Sequence, residues 1–125
     1  YRDMSFLGFF NGGSSVANLG SQDFSDGFRN DPDAVLLDVR TDMEYMQGHI
    51  PGAKRMDIMD PQLMSKIEQL DKNKKYYVYC RSGNRSMQVC RIMQKNGFEH
   101  TFNLGRGILD WRDELVSAST VGEYQ

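Results

Sequence analysis

The segment that decides the fold is Tyr76–Ser86, which reads YYVYCRSGNRS. Its first four residues are aromatic or β-branched, a composition that predicts a buried strand. Gly83 predicts a turn, and a helix is predicted from Ser86 to about Asn96. Cys80 therefore lies at the point where a strand ends and shortly before a helix begins.

A cysteine in this position can readily become a thiolate. The first turn of a helix offers unpaired N–H groups and the positive end of the helix dipole. Arg81 and Arg85 place two positive charges close by, which also favours the thiolate. A tight turn at Gly83 aims further amides inward and forms a nest for an anion. We predict a nucleophilic Cys80 in an anion-binding cradle formed by Arg81, Ser82, Gly83, Asn84, Arg85 and Ser86.

Length and composition describe one ordinary globular domain. The chain has 125 residues, of which 39% are hydrophobic and 26% charged, with a net charge of −2. Its 15 basic residues are scattered along the sequence, so neither a nucleic acid nor an anionic membrane surface is an expected partner. No segment approaches the roughly 18 consecutive apolar residues of a membrane-spanning helix.

The chain is expected to divide into three parts. Residues 1–15 are predicted to be a flexible or loosely packed leader, residues 16–117 the folded domain, and residues 118–125 a C-terminal tail. Two cysteines do not make a disulfide framework, so a reducing, cytoplasmic location is expected. Two histidines and two dispersed cysteines do not make a zinc site either, and neither a metal nor a cofactor is predicted. Cys90 shares a predicted helix face with Val89 and Met93 and is expected in the core.

The order of the predicted elements indicates the architecture. Strands alternate with helices along the chain, and the last helix is predicted at about residues 108–116. This alternation predicts an α/β fold with a central, mostly parallel five-stranded sheet and helices on both faces. Ligands bind beyond the carboxyl ends of the strands of such sheets. The loops after Val39, Cys80 and Asn103 are therefore expected on one rim.

The spacing within the cradle limits the reactions that it can support. Gly83 follows Cys80 by three residues and Arg85 follows it by five, so the cradle spans six residues. Cysteine-dependent phosphatases resemble this arrangement but place the arginine one residue later, in a longer loop that fits a phosphate group. The shorter loop suits sulfur. Phosphatase or arsenate reductase chemistry on the same fold stays open, as does a non-catalytic module that binds an anion or a partner.

The sequence resembles a single-domain rhodanese, a sulfurtransferase module, over roughly residues 17–115. Two segments besides the cradle carry the likeness. One is LLDVR at residues 36–40, followed by Glu44 and by GHIPGA at residues 48–53; the other is NLGRGILDW at residues 103–111. The resemblance implies a rhodanese-like fold for residues 16–117. Many relatives have Glu-Gly-Gly where this chain has GRG at residues 105–107, which adds a positive charge near the rim.

The resemblance also implies a reaction, that of a thiosulfate sulfurtransferase. Cys80 would take a sulfane sulfur from a small anionic donor such as thiosulfate, or from a persulfide donor, and become a persulfide. A thiol or a cyanide-type acceptor would then remove the outer sulfur, in a double displacement with a covalent intermediate. The acceptor can also be a protein.

The other site residues have supporting roles in this interpretation. Arg81 and Arg85 are expected to hold the anionic donor and the departing sulfite. Hydrogen bonds are expected from the remaining polar side chains or amides of the cradle, those of Ser82, Asn84 and Ser86. The resemblance implies that Asp38 and Arg40 form an ion-pair network that braces the loop.

Overall fold

A five-stranded parallel sheet organises residues 16–117, the part of the chain that the computed structural model describes. The predicted leader and tail lie outside these residues. The strands are β1 (Ala17–Leu19), β2 (Val35–Asp38), β3 (Lys54–Arg55), β4 (Tyr76–Tyr79) and β5 (Thr101–Leu104). The helices are α1 (Ser21–Arg29), α2 (Asp42–Gln47), α3 (Leu63–Glu68) and α4 (Asn84–Lys95), and a single 3-10 turn, Ile108–Asp110, follows β5.

Strand β4 occupies the centre of the sheet. The strand order is β1-β5-β4-β2-β3, and every neighbouring pair is parallel. The carboxyl ends of all five strands therefore lie at one edge. Cys80 directly follows β4 and so emerges at the middle of that edge, where ligands bind in parallel sheets. The predicted α/β class and parallel sheet are confirmed.

Helices cover both faces of the sheet. Successive residues of a strand point to opposite sides, so β4 contributes to two separate clusters. On one side, Tyr76, Val78 and Cys80 pack in a cluster with residues of α3 and α4, including Ile67 and Met93. On the other side, the core contains residues of β4, α1 and α2, represented by Tyr77, Tyr79, Phe24 and Tyr45. Burial on both faces explains why β4 is continuously aromatic or apolar.

Cys90 is a core residue, as its predicted helix face indicates. It lies on α4, is fully buried, and packs in the same cluster as Val89 and Met93. Burial raises the pKa of its thiol to about 12, with a smaller contribution from the charge of Cys80. Cys80 and Cys90 are both free cysteines. A thiol with so high a pKa is a weak nucleophile at neutral pH.

Helix α4 begins two residues earlier than predicted. It starts at Asn84 and not at Ser86, and Gly83 is its N-cap residue, with φ 97° and ψ −10°. This left-handed conformation turns the chain sharply enough for the helix to begin at once. Asn84, Arg85 and Ser86 consequently lie in the first helical turn and not in a loop.

The predicted last helix, at residues 108–116, is wrong. After the 3-10 turn the chain is extended at Trp111, with φ −69° and ψ 131°. Val116 then forms an antiparallel bridge with His49, with N–H to O distances of 2.8 and 2.9 Å. The extended segment satisfies backbone groups of the turn at residues 48–50, and this long-range pairing outweighs the local apolar spacing that favoured a helix.

Gly107 holds the segment after β5 against the Cys80 loop. Its φ is 69°, and a Cβ atom there would lie 2.1 Å from the carbonyl oxygen of Arg81. This close approach lets the N–H of Ile108 donate to the carbonyl of Cys80 at 2.9 Å, and that of Leu109 to Arg81 at 3.3 Å. The loops after β4 and β5 are thereby joined by backbone hydrogen bonds.

Replacing Gly107 with alanine tests this contact. The added methyl group has no room against the Arg81 carbonyl, so we expect Gly107→Ala to lower the free energy of unfolding by about 3 kcal/mol or more. Gly52→Ala is the matched control, because Gly52 has φ 90° but nothing within 4 Å of its Cβ position. Backbone strain alone predicts a loss of about 1 kcal/mol there. Equal losses in urea unfolding would contradict the close-approach argument.

Candidate active site

The sulfur atom of Cys80 lies in a cradle of hydrogen-bond donors. Cys80 is fully buried, and its Sγ accepts from the backbone N–H of Gly83 at 3.1 Å and from that of Ser86 at 3.4 Å. The hydroxyl of Ser86 donates to the same sulfur at 3.3 Å. The turn at Gly83 and the early start of α4 aim these amides at the strand end, as expected for a helix N-terminus that holds an anion.

These donors determine the ionisation of the thiol. Burial by itself raises the pKa of Cys80, since it penalises the charged form. The hydroxyl and amide of Ser86 and the amides of Gly83 and Ser82 lower it by more, so the pKa lies below its ordinary value. Hydrogen bonds to the thiolate therefore outweigh desolvation. Cys80 is consequently a better nucleophile at neutral pH than an ordinary buried thiol.

A buried polar network lies beneath the cradle. The Ser86 hydroxyl also approaches Oδ1 of Asn103 at 2.5 Å, and Nδ2 of Asn103 donates to the carbonyl of Gly83 at 3.1 Å and to Oδ1 of Asn18 at 2.9 Å. Because a hydroxyl has one proton, Ser86 donates either to the sulfur or to Asn103 at any moment. Asn103 thus positions both Ser86 and the Gly83 turn.

The sequence assigned no role to Asn103, although a signal was present. An asparagine inside a strand is unusual, and Asn103 is 1% exposed in β5. A buried amide needs hydrogen-bond partners, and the neighbouring cradle supplies them.

Asp38 and Arg40 form the predicted ion pair. Arg40 binds Asp38 through two N–H groups, at 2.9 Å from Nε and 2.7 Å from Nη2, and also donates to the carbonyl of Gly48 at 2.6 Å. The hydroxyl of Tyr79 donates to Asp38 at 2.7 Å. This network ties the end of β2 to β4 and to the residue 48–50 turn. It braces the rim of the site.

Arg85 is bound by a carboxylate of the protein itself. Its guanidinium donates to Oε1 of Glu44 at 3.1 Å and to Oε2 at 3.3 Å. Glu44 also completes a capping box with Thr41 at the start of α2, as its spacing from Thr41 predicts. The bond to Arg85, followed by those to Thr41, lowers the pKa of Glu44 to about 2. Glu44 is therefore ionised throughout the physiological pH range.

The three predicted loops meet at one rim. A cleft of about 380 Å³ lies between them and is lined in part by Arg40, Glu44, Arg81, Leu109 and Leu115. The side chains of Arg81, Ser82 and Asn84 are exposed. The structure thus brings Gly83 and Ser86 to the sulfur and leaves Arg81 at the cleft. The role predicted for Arg85 in holding a substrate stays a prediction.

Within residues 16–117, no group of three or more histidine, cysteine, aspartate or glutamate side chains is arranged to hold a metal ion. No helix in this part of the chain is long and apolar enough to cross a bilayer. Arg85 and Cys90 lie within range of the charge on Cys80, and neither is a base at neutral pH.

Comparison with known proteins points to one family. The family model described as "Rhodanese-like domain" matches residues 21–114. The Bacillus subtilis protein named "Putative sulfurtransferase YtwF" is 42% identical over 84 residues, which are 67% of this chain and 79% of that protein. A protein of Allochromatium vinosum named "Sulfurtransferase" is 35% identical over 97 residues, 77% of this chain and 88% of the relative.

A solved structure gives the same result for the fold. A rhodanese-like domain protein from Staphylococcus aureus superposes with a TM-score of 0.71 at 27% sequence identity. The match covers 82% of this chain and 98% of that structure. The rhodanese-like fold implied by the sequence resemblance is confirmed.

Removing the Ser86 hydroxyl tests the cradle. Ser86→Ala deletes one donor to the sulfur, so we expect the pKa of Cys80 to rise toward that of an ordinary thiol. The rate of alkylation by iodoacetamide as a function of pH, with Cys90→Ser as background, measures it. Ser82→Ala is the matched control, because the Ser82 side chain is exposed and its amide is retained. An unchanged pKa in Ser86→Ala would refute the role assigned to the hydroxyl.

Proposed function

We propose that this chain, which belongs to the rhodanese-like domain family, transfers sulfane sulfur through a persulfide on Cys80. The donor in this proposal is thiosulfate or a persulfide, and the acceptor is a low-molecular-weight thiol, a cyanide-type nucleophile or a protein thiol. The sulfurtransferase names of two relatives support the class of reaction. The proposed setting is a reducing, cytoplasmic one, in which thiol acceptors are abundant.

One observation carries this proposal: the Cys80 sulfur faces a set of hydrogen-bond donors. Three donors, the amides of Gly83 and Ser86 and the Ser86 hydroxyl, contact the sulfur. They stabilise a negative charge whether it resides on the thiolate or on the outer sulfur of a persulfide bound there. A persulfide carrier needs this type of environment, since its resting and loaded states are both anions.

The reaction balances without a cofactor. In the first step the Cys80 thiolate attacks the outer sulfur of thiosulfate, a sulfur–sulfur bond forms to Cys80, and the bond to the sulfonate breaks. Sulfite leaves with the electron pair, and Cys80 becomes a persulfide anion. In the second step a nucleophile such as cyanide attacks the outer sulfur and departs as thiocyanate, which regenerates the thiolate.

The rim of the cleft fits a small anionic donor. Arg81 is an exposed cation at the cleft, next in sequence to the nucleophile. Its guanidinium can bind a sulfonate group and steer an anion toward Cys80. The N–H of Leu109 donates to the backbone carbonyl of Arg81, and this hydrogen bond fixes the main chain from which the Arg81 side chain extends. We propose that Arg81 contributes the first contact with the donor.

Mass spectrometry of the intact protein tests the chemistry. Incubation with thiosulfate is expected to add about 32 Da, the mass of one sulfur atom, and cyanide is expected to remove it. Cys80→Ser should abolish the gain. Cys90→Ser is the matched control and should retain it, because Cys90 is buried in the core and its thiol is protonated at neutral pH.

Three results would overturn the proposal. A mass gain that survives Cys80→Ser would refute the assignment of the nucleophile. Absence of a Cys80 persulfide with thiosulfate, a thiosulfonate and glutathione persulfide would refute sulfur transfer. Steady release of phosphate from an aryl phosphate, lost in Cys80→Ser, would instead assign phosphatase chemistry to the cradle.

A further inference from the structure

Glu44 binds the guanidinium of Arg85, the cation that the cradle would otherwise offer to a substrate anion. Both carboxylate oxygens accept from the Arg85 guanidinium, at 3.1 and 3.3 Å. The pair is only half-buried, with 32% of the Arg85 side chain and 28% of the Glu44 side chain exposed. Solvent reaches both partners, so the ion pair can open without leaving an unsolvated charge.

The pair lies within the electrostatic reach of the nucleophile. The charge of Cys80 acts on Arg85 and helps to raise its pKa, although the hydrogen bond to Glu44 is the largest cause. Arg40 also acts on Arg85, and Glu44 acts on Arg40. Glu44 lines the cleft together with Arg40 and Arg81. A fixed negative charge therefore stands at the place where an anionic donor would approach.

We propose that Glu44 is a specificity-determining residue, which competes with the sulfur donor for Arg85 and so disfavours doubly charged donors relative to singly charged ones. This inference rests on the proposed sulfur transfer. A doubly charged donor is repelled by the carboxylate and must displace it to reach the guanidinium. A donor with one negative charge is repelled less and gains less from Arg85, so Glu44 costs it less.

Two donors of similar shape isolate the effect of charge. Thiosulfate carries two negative charges, and methanethiosulfonate, in which a methyl group replaces one sulfonate oxygen, carries one. In both reactions the Cys80 thiolate attacks the outer sulfur and forms the same persulfide anion. Sulfite leaves in the first case and methanesulfinate in the second, each with the electron pair of the broken sulfur–sulfur bond. The ratio of the two kcat/KM values therefore reports on how the site recognises donor charge.

Glu44→Gln removes the charge and preserves the local structure. Oε1 of Glu44 accepts from the N–H of Thr41 at 3.0 Å, and a glutamine oxygen can keep this capping-box bond. Arg85 loses its ion-pair partner and becomes available to the donor. We expect the kcat/KM ratio of thiosulfate to methanethiosulfonate to rise about tenfold, mainly through a lower KM for thiosulfate.

Two further variants separate competition from other effects. Glu99→Gln changes the net charge equally at an exposed position outside the site and should leave the ratio unchanged. Arg85→Gln removes the contested cation, so adding Glu44→Gln to it should raise the ratio much less than in the wild type. Thermal unfolding of each variant verifies that the fold is intact.

Three outcomes would overturn the inference. If Glu44 merely orients Arg85, Glu44→Gln slows both donors and the ratio does not rise. If Glu44 acts only through its long-range field, the rise persists undiminished in the Arg85→Gln background. If net charge alone matters, Glu99→Gln reproduces the effect. Failure of the proposed function is a separate result, because wild-type protein would then form no persulfide with either donor.

Discussion

A negative charge on the buried sulfur of Cys80 is the constraint on which the other features of the site depend. Such a charge is stable in the interior only when hydrogen-bond donors replace water. Gly83 supplies the turn that places donors at the sulfur, and the side chain of Asn103 holds that turn by donating to the carbonyl of Gly83. The early start of α4 puts the Ser86 amide and hydroxyl in reach, and the central position of β4 gives the strand end rigid neighbours on both sides.

Two ion pairs around the cradle differ in burial and therefore in role. Asp38 and Arg40 have side chains that are 0% and 7% exposed, so breaking their pair would leave a charge without solvent. This pair is fixed and belongs to the architecture. Glu44 and Arg85 are each about one-third exposed, and water can replace either partner. The second pair can exchange partners, which is what recognition of an anion requires.

Sequence patterns succeeded where local chemistry decides the structure. The capping box of Thr41 and Glu44, the strand before Cys80 and the core position of Cys90 all follow from residue type and spacing. The last helix failed because the spacing of Ile108, Trp111 and Leu115 carries no information about the distant turn with which Val116 pairs. The start of α4 was misplaced because the left-handed Gly83 lets the helix begin without an intervening loop.

The sequence by itself predicted that a cysteine follows a central strand and that glycine and helix amides surround it, and its resemblance to the rhodanese family implied that Asp38 pairs with Arg40. These features depend on short-range order or on recognisable segments. Only the tertiary structure decided that the carboxylate of Glu44 binds Arg85 and that the side-chain amide of Asn103 contacts Ser86. Glu44 and Arg85 are 41 residues apart, and Ser86 and Asn103 are 17 apart. Neither contact has a periodicity that a sequence can reveal, because each arises where separate strands bring their carboxyl ends to one edge of the sheet.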